Sequence, residues 1–265
     1  MQIRVRDVEL SYERAGAGPP LLLLHGLGSS TADWSLQLPA FAPHFEVLAL
    51  DARGHGRSSK PPGPYSVPML AADTAAFLEA LAIPAAHVLG LSMGGMIGLQ
   101  LALDRPDLVK SLVVVNSAPE LTARTWREKL LIGQRLALVS LLSPRGVGRF
   151  LSRRLFPRPE QAPLRALMAA RFAQNDKRAY LAAMRALINW SVMDRLSDLR
   201  CPTLVVAGDQ DYTPPAYKET YTAQIPDARL VVIEDSRHAT PIDQPERFNQ
   251  VVLDFFDRAS QSVSR

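Results

Sequence analysis

The sequence predicts an α/β protein: a doubly wound, mostly parallel sheet with a helical insertion before its penultimate strand. Three observations carry that expectation. Several apolar runs, among them "LLLLHG" and "PTLVVAGD", do not alternate with polar residues, as strands buried on both faces require. Segments of helical spacing separate these runs, which is the rhythm of a parallel sheet. A chain of 265 residues, 47% hydrophobic and 21% charged, is long enough for one core with an insertion.

The elements follow in order. "DVELSYERAG" reads as a hairpin strand ending in the turn Gly16-Ala17-Gly18-Pro19-Pro20. "LLLLHG" and "FEVLALD" are buried strands, the second running into the Gly-rich loop "DARGHGRSS". Residues 69–82 have helical spacing and precede the strand "AHVLGLS", a helix over 94–103 and the strand "LVKSLVVVNS". Residues 120–200 are helical in pattern and punctuated by Pro144, Pro157, Pro159 and Pro163. "PTLVVAGD" (strand), 216–223 (helix) and "ARLVVIED" (strand) come next. An amphipathic helix over 245–258 closes the chain, with Phe248, Val251, Val252, Phe255 and Phe256 on one face. The expected division is a core of residues 1–119 and 201–265, with residues 120–200 inserted. Ligands of such sheets bind beyond the carboxyl ends of the strands.

Composition excludes several classes. The opening "MQIRVRDVEL" mixes charges with apolar residues, so no secretory leader is expected. Apolar runs such as 21–24 and 136–139 are far too short to span a bilayer. The single cysteine, Cys201, rules out an intramolecular disulfide and reads as a small core residue, and a cytoplasmic location is expected. There is no internal repeat and no low-complexity tract. Charge is uneven: 120–200 holds sixteen Lys and Arg against six Asp and Glu, although the whole chain is only +4. A solvated basic face, attraction of an anionic substrate and weak contact with an anionic membrane all remain open. No nucleic-acid partner is expected, because no nucleic-acid fold signature accompanies the charge.

Chemistry concentrates where "AHVLGLS" ends. Gly90-Leu91-Ser92-Met93-Gly94 fits Gly-x-Ser-x-Gly between a buried strand and an apolar helix, a sharp turn that raises one serine hydroxyl over the sheet edge. A serine hydroxyl needs an adjacent base. Of five histidines, His238 occupies the required loop after the last strand, in "EDSRHATPIDQPERF". His87 begins the serine's own strand at the far end and reads as structural. His44 lies in a surface connection, His55 in a turn, and His25 braces the loop that it opens. The base needs a carboxylate to fix its tautomer. "GDQDYTPP" offers Asp209, expected to cap the turn, and Asp211, which can bend back toward His238 and is preferred. For an oxyanion, the amide of Met93 and that of Leu27 in "HGLGSS" are the expected donors, with Gly26 permitting close approach.

With these pieces assembled, the chain resembles the α/β-hydrolase superfamily over nearly its whole length, through "HGLGSS", "DARGHGRSS", "GLSMGG", "GDQD" and "SRHATPIDQPERF". The resemblance implies a catalytic Ser92, Asp211 and His238, hydrolysis of a small carboxylic ester or lactone through an acyl-serine, and no metal or organic cofactor. It also implies that residues 120–200 form a cap over Ser92, with Leu27, Met93, Trp126, Trp190 and Tyr212 contacting substrate. A serine at the elbow argues against the dehalogenase and epoxide-hydrolase branches, which use aspartate there. "GLSMGGMIG" and "DYTPP" are similar to 3-oxoadipate enol-lactonases and small bacterial carboxylesterases. A non-hydrolytic ligand receptor and a cofactor-free perhydrolase or haloperoxidase use the same scaffold and stay open as alternatives.

Overall fold

The computed structural model describes residues 1–262. Strands β1 (Gln2–Val5) and β2 (Val8–Ala15) form an antiparallel hairpin. β3 (Pro20–Leu24), α1 (Leu38–Phe41), β4 (Glu46–Leu50), α2 (Val67–Ala80), β5 (Ala86–Leu91), α3 (Met93–Asp104) and β6 (Val109–Val115) follow. Four helices come next: α4 (Trp126–Leu141), α5 (Pro144–Leu155), α6 (Ala162–Phe172) and α7 (Lys177–Leu187). β7 (Thr203–Gly208), α8 (Pro215–Thr222), β8 (Ala228–Ile233), α9 (Thr240–Asp243) and α10 (Pro245–Ser262) complete the chain.

The strands form one sheet in the order β1-β2-β4-β3-β5-β6-β7-β8. β2 meets β4 antiparallel, and from β4 to β8 every pairing is parallel. The unbroken apolar runs now have their reason. In β3, Leu22 and Leu24 face a core shared with Phe77 of α2 and Ile97 of α3, while Leu21 and Leu23 face Phe248, Val252 and Phe256 of α10. A strand whose successive side chains enter two different cores has no polar face to show.

The sequence left β1 and the short α1 unassigned. Four-residue elements are too short for a period to register. The loop "DARGHGRSS" is a structural brace: Asp51 accepts hydrogen bonds from the amides of Thr31 (2.7 Å) and Arg57 (2.9 Å). Arg53, almost wholly buried, ties this loop to Asp7 and to Asp73 of α2.

Between β6 and β7 the excursion is helical, and its two ends are stapled to each other. Leu121 and Asn189–Trp190 exchange backbone hydrogen bonds, and Val192 donates to Pro119. The boundary at 200 shifts accordingly. Trp190, Val192, Leu196 and Leu199 already lie in the core beneath the sheet, so the chain rejoins the core about ten residues earlier than expected.

His87 and His55 lie where the sequence put them, as structural groups. His87 packs between the rings of Phe45 and Phe256, with Nδ1 2.8 Å from Ser111 Oγ, and burial pushes its pKa down to about 4. His55 is fully buried, with its pKa pushed down to about 3 chiefly by burial. Both are neutral in the folded chain but accept a proton near pH 6.5 once unfolded. Protonation therefore favours the unfolded state. Stability is expected to be complete above pH 6.5 and to fall as pH drops toward 4 and then 3, measured as melting temperature against pH. His87→Gln should flatten the upper part of that fall.

Candidate active site

Ser92 stands at the junction of β5 and α3 with φ +54° and ψ −112°. A side-chain-bearing residue at positive φ is strained by about 1–3 kcal/mol and persists only where its surroundings hold it. They do so here. The Ser92 amide donates to the Val115 carbonyl (2.9 Å), and its carbonyl accepts from Ser117 Oγ (2.7 Å). Gly94 lets the first turn of α3 press on the end of β3: a Cβ there would overlap the carbonyl oxygen of Leu24.

His238 sits in the loop after β8, and that loop is fixed by a residue the sequence reading did not single out. Asn116 follows β6 with φ +43°. Its Nδ2 donates to the carbonyls of Arg237 and His238 (3.0 Å each) and to Thr240 Oγ1 (2.7 Å). Its Oδ1 accepts the amide of Gly208 at the end of β7 (2.8 Å). One buried amide side chain thus ties the loop carrying His238 to the loop carrying Asp211. Asp209, expected to cap its own turn, instead reaches the neighbouring loop, its Oδ1 accepting the amide of Ser236 (2.9 Å).

Asp211 lies with Oδ1 2.6 Å from His238 Nδ1. Its other oxygen, Oδ2, accepts from Lys218 Nζ at 2.6 Å. Lys218 of α8 is completely buried, and its ammonium also donates to the Thr213 carbonyl (2.7 Å) and Thr213 Oγ1 (2.8 Å). Burial works against ionisation of Asp211. The hydrogen bond from His238 and the charges of His238 and Lys218 outweigh it and hold the carboxyl at about 2. The sequence held a weak signal for this lysine: it lies seven residues after Asp211, on the first helix to follow.

Ser92 and His238 line one cavity of about 70 Å³. Its floor includes Gly26 and Leu27 from the loop after β3, and its roof is Arg135, Leu151, Leu155, Met168 and Phe172 from α4, α5 and α6. The helical excursion therefore covers Ser92. The Tyr212 ring stacks at 4.4 Å from that of His238. Met93 supplies the first amide of α3, where a helix has no acceptor of its own. Among the described residues neither that amide nor the amide of Leu27 has a protein acceptor. His25 braces the loop as expected, with Nδ1 2.7 Å from the Gly26 carbonyl and Nε2 accepting the Ala52 amide (3.1 Å).

Three expectations need correction. Trp126 does not reach the cavity. It is 69% exposed at the start of α4, with the Arg127 guanidinium over its ring. Trp190 is core: its Nε1 donates to Gln100 Oε1 (2.8 Å) behind α3. Nor is Gly26 the sterically required glycine of its loop. A Cβ there would make ordinary contacts at 3.7 Å, whereas one on Gly28 (φ +75°) would strike Tyr180 and Phe172. The sequence also gave no warning that Asp33 lines the cavity already neutralised, its Oδ1 3.0 Å from Arg171 of α6. Among the described residues no group of three or more His, Cys, Asp or Glu is placed to hold a metal ion.

Comparison with known proteins adds to this geometry. Residues 19–245 match a family model described as the α/β hydrolase fold. A putative carbamate hydrolase RutD of Azorhizobium caulinodans is 33% identical over 261 residues, covering 96% of this chain and 97% of that protein. The 3-oxoadipate enol-lactonase 2 of Acinetobacter baylyi is 30% identical over 254 residues, 94% of each chain. Among solved structures, the enol-lactonase of Burkholderia xenovorans superposes with a TM-score of 0.89 at 27% identity, covering 97% of this chain and all of that one.

The Lys218–Asp211 pair carries a measurable consequence. Removing one partner of a buried ion pair leaves the other charge uncompensated, at a cost of about 3–5 kcal/mol. Lys218→Met is expected to lose stability of that order, read from the shift in urea-unfolding midpoint. A loss within the error of a surface substitution would mean that the pair contributes nothing net.

Proposed function

The chain belongs to the α/β-hydrolase-fold family, and we propose that it cleaves carboxylic esters or lactones through an acyl-serine on Ser92. The observation that carries this reading is the position of His238. Its Nδ1 is engaged by Asp211 at 2.6 Å, which leaves Nε2 for the cavity that it shares with Ser92.

An ester hydrolase of this kind runs in two half-reactions. Ser92 Oγ attacks the carbonyl carbon while His238 Nε2 takes the hydroxyl proton. The carbonyl electron pair moves onto oxygen, and the amides of Leu27 and Met93 stabilise that oxyanion. Collapse breaks the bond to the leaving oxygen, which receives the proton from His238. A water then gives its proton to His238 and attacks the acyl-serine, and the acid departs as Ser92 recovers its proton. Asp211 keeps the His238 proton on Nδ1 throughout and favours the transient imidazolium. Lys218 keeps Asp211 ionised and turned toward His238.

The carbamate-hydrolase name of one relative widens the substrate question. A carbamate presents the same carbonyl to Ser92, so the same machinery serves it. Esters, lactones and carbamates therefore belong in one substrate panel.

A fluorophosphonate is expected to add once, at Ser92, and Ser92→Ala should abolish both labelling and ester hydrolysis while leaving the far-ultraviolet circular dichroism unchanged. Labelling at Ser58 or Ser59 with Ser92 untouched would overturn the assignment. Asp211→Asn should lower kcat by about 10⁴-fold, as loss of the correct tautomer does in serine proteases. Asp209→Asn should cost far less, since its carboxylate bonds the Ser236 amide and not the His238 ring.

A further inference from the structure

Helix α4 has two apolar faces, and only one is used. Leu136 and Val139 pack into the core of the insertion. On the other side Trp126, Leu130, Leu131 and Leu141 stand 69%, 52%, 63% and 82% exposed. Large apolar side chains gathered on one exposed face mark an interaction site. The surroundings are cationic. From 126 to 155 the chain holds seven Lys and Arg and a single acid, Glu128. Glu128 is spent on the helix end, accepting the amides of Arg124 (2.7 Å) and Thr125 (2.9 Å). On α5, Arg145, Arg149 and Arg153 recur every four residues as an exposed stripe. Among the described residues none of Arg127, Arg145, Arg149, Arg153 and Arg154 makes an ion pair.

We propose that the exposed face of α4 and α5 docks on an anionic lipid bilayer. Apolar side chains rimmed by arginines complement an acidic headgroup layer over hydrocarbon, as in helices that lie in a membrane interface. A second copy of the chain complements it poorly, since a two-fold contact brings the same arginines together. A groove favours lipid over an acidic protein. It holds about 570 Å³, is walled by Leu131, Leu138, Phe150 and Leu151 with Arg135 and Arg154, and shares Arg135, Leu151 and Tyr212 with the Ser92 cavity. An acyl chain drawn from the bilayer can follow it to Ser92; this last step rests on the proposed hydrolysis. No helix among the described residues is long and apolar enough to cross a membrane, so the contact is peripheral.

The Ser92→Ala protein separates docking from turnover. It is expected to sediment with vesicles of phosphatidylcholine plus phosphatidylglycerol, not with phosphatidylcholine alone, and to release as salt rises. Arg149→Gln and Arg153→Gln should each lower partitioning about fivefold, the effect of losing roughly 1 kcal/mol per basic residue at an acidic surface. Trp126→Ser/Leu130→Ser should lose it almost entirely. In the wild-type background none of these should alter kcat/KM on a soluble short-chain ester. Absence of binding, or equal binding to both vesicle types, overturns the proposal. So does a dimer that Trp126→Ser/Leu130→Ser dissociates in a protein that ignores vesicles. If Ser92→Ala docks but wild type cleaves no ester in solution or in the bilayer, the hydrolase reading has failed and the docking surface stands.

Discussion

The left-handed backbone at Ser92 is the constraint around which the rest of the molecule is arranged. A φ of +54° is unfavourable for any residue with a side chain, and the local bonds to its carbonyl are only those of the helix turn that follows, from Gly95 and Met96. Its support is tertiary. β6 supplies the Val115 carbonyl, the residues beyond it supply Ser117, and the end of β3 lies so close that only a glycine fits at position 94. All three supports exist only if β3, β5 and β6 are neighbours in a parallel sheet. The sheet therefore does more than carry the elbow: its strand order is what keeps the serine raised.

The electrostatic centre is built with a different economy. Asp211 is shared between His238 and the completely buried Lys218. Burial opposes the carboxylate's charge, and the His238 hydrogen bond with the charges of His238 and Lys218 holds the carboxyl at about 2. With Oδ1 on His238 and Oδ2 on Lys218, the orientation of the carboxylate is fixed from both sides. Asn116 supplies the mechanical counterpart, since its four hydrogen bonds hold the loops after β7 and β8 at one separation.

The helical insertion answers two demands with opposite faces. Toward the sheet it offers Leu151, Leu155, Met168 and Phe172 as an apolar roof, and Arg171 satisfies the one buried carboxylate, Asp33, that lines the cavity. Outward it presents unpaired arginines and exposed leucines. Charge of this kind destabilises a compact surface by self-repulsion unless a partner or salt relieves it. Its concentration on two helices, beside the mouth of a groove, is the observation on which the proposed docking rests.

The sequence by itself determined the parallel sheet, the order of its elements and the positions of Ser92, Asp211 and His238. Each leaves a local mark: an unbroken apolar run, glycines around a lone serine, an acid or a histidine just after a strand. That Asp211 and not Asp209 meets the His238 ring was also legible, because Asp211 lies two residues further along the loop. Other features were decided only in three dimensions. Lys218 looks like any helix lysine until folding buries it against a carboxylate, and Asn116 looks like a strand terminator until two distant loops close on its amide. Trp126 and Trp190 both suggested a ligand pocket, yet one opens α4 facing solvent and the other, three residues past α7, is drawn into the core by its bond to Gln100. Local sequence encodes backbone geometry through sterics and periodicity. Which groups meet across 90 or 120 residues is fixed by packing, and no local pattern records it.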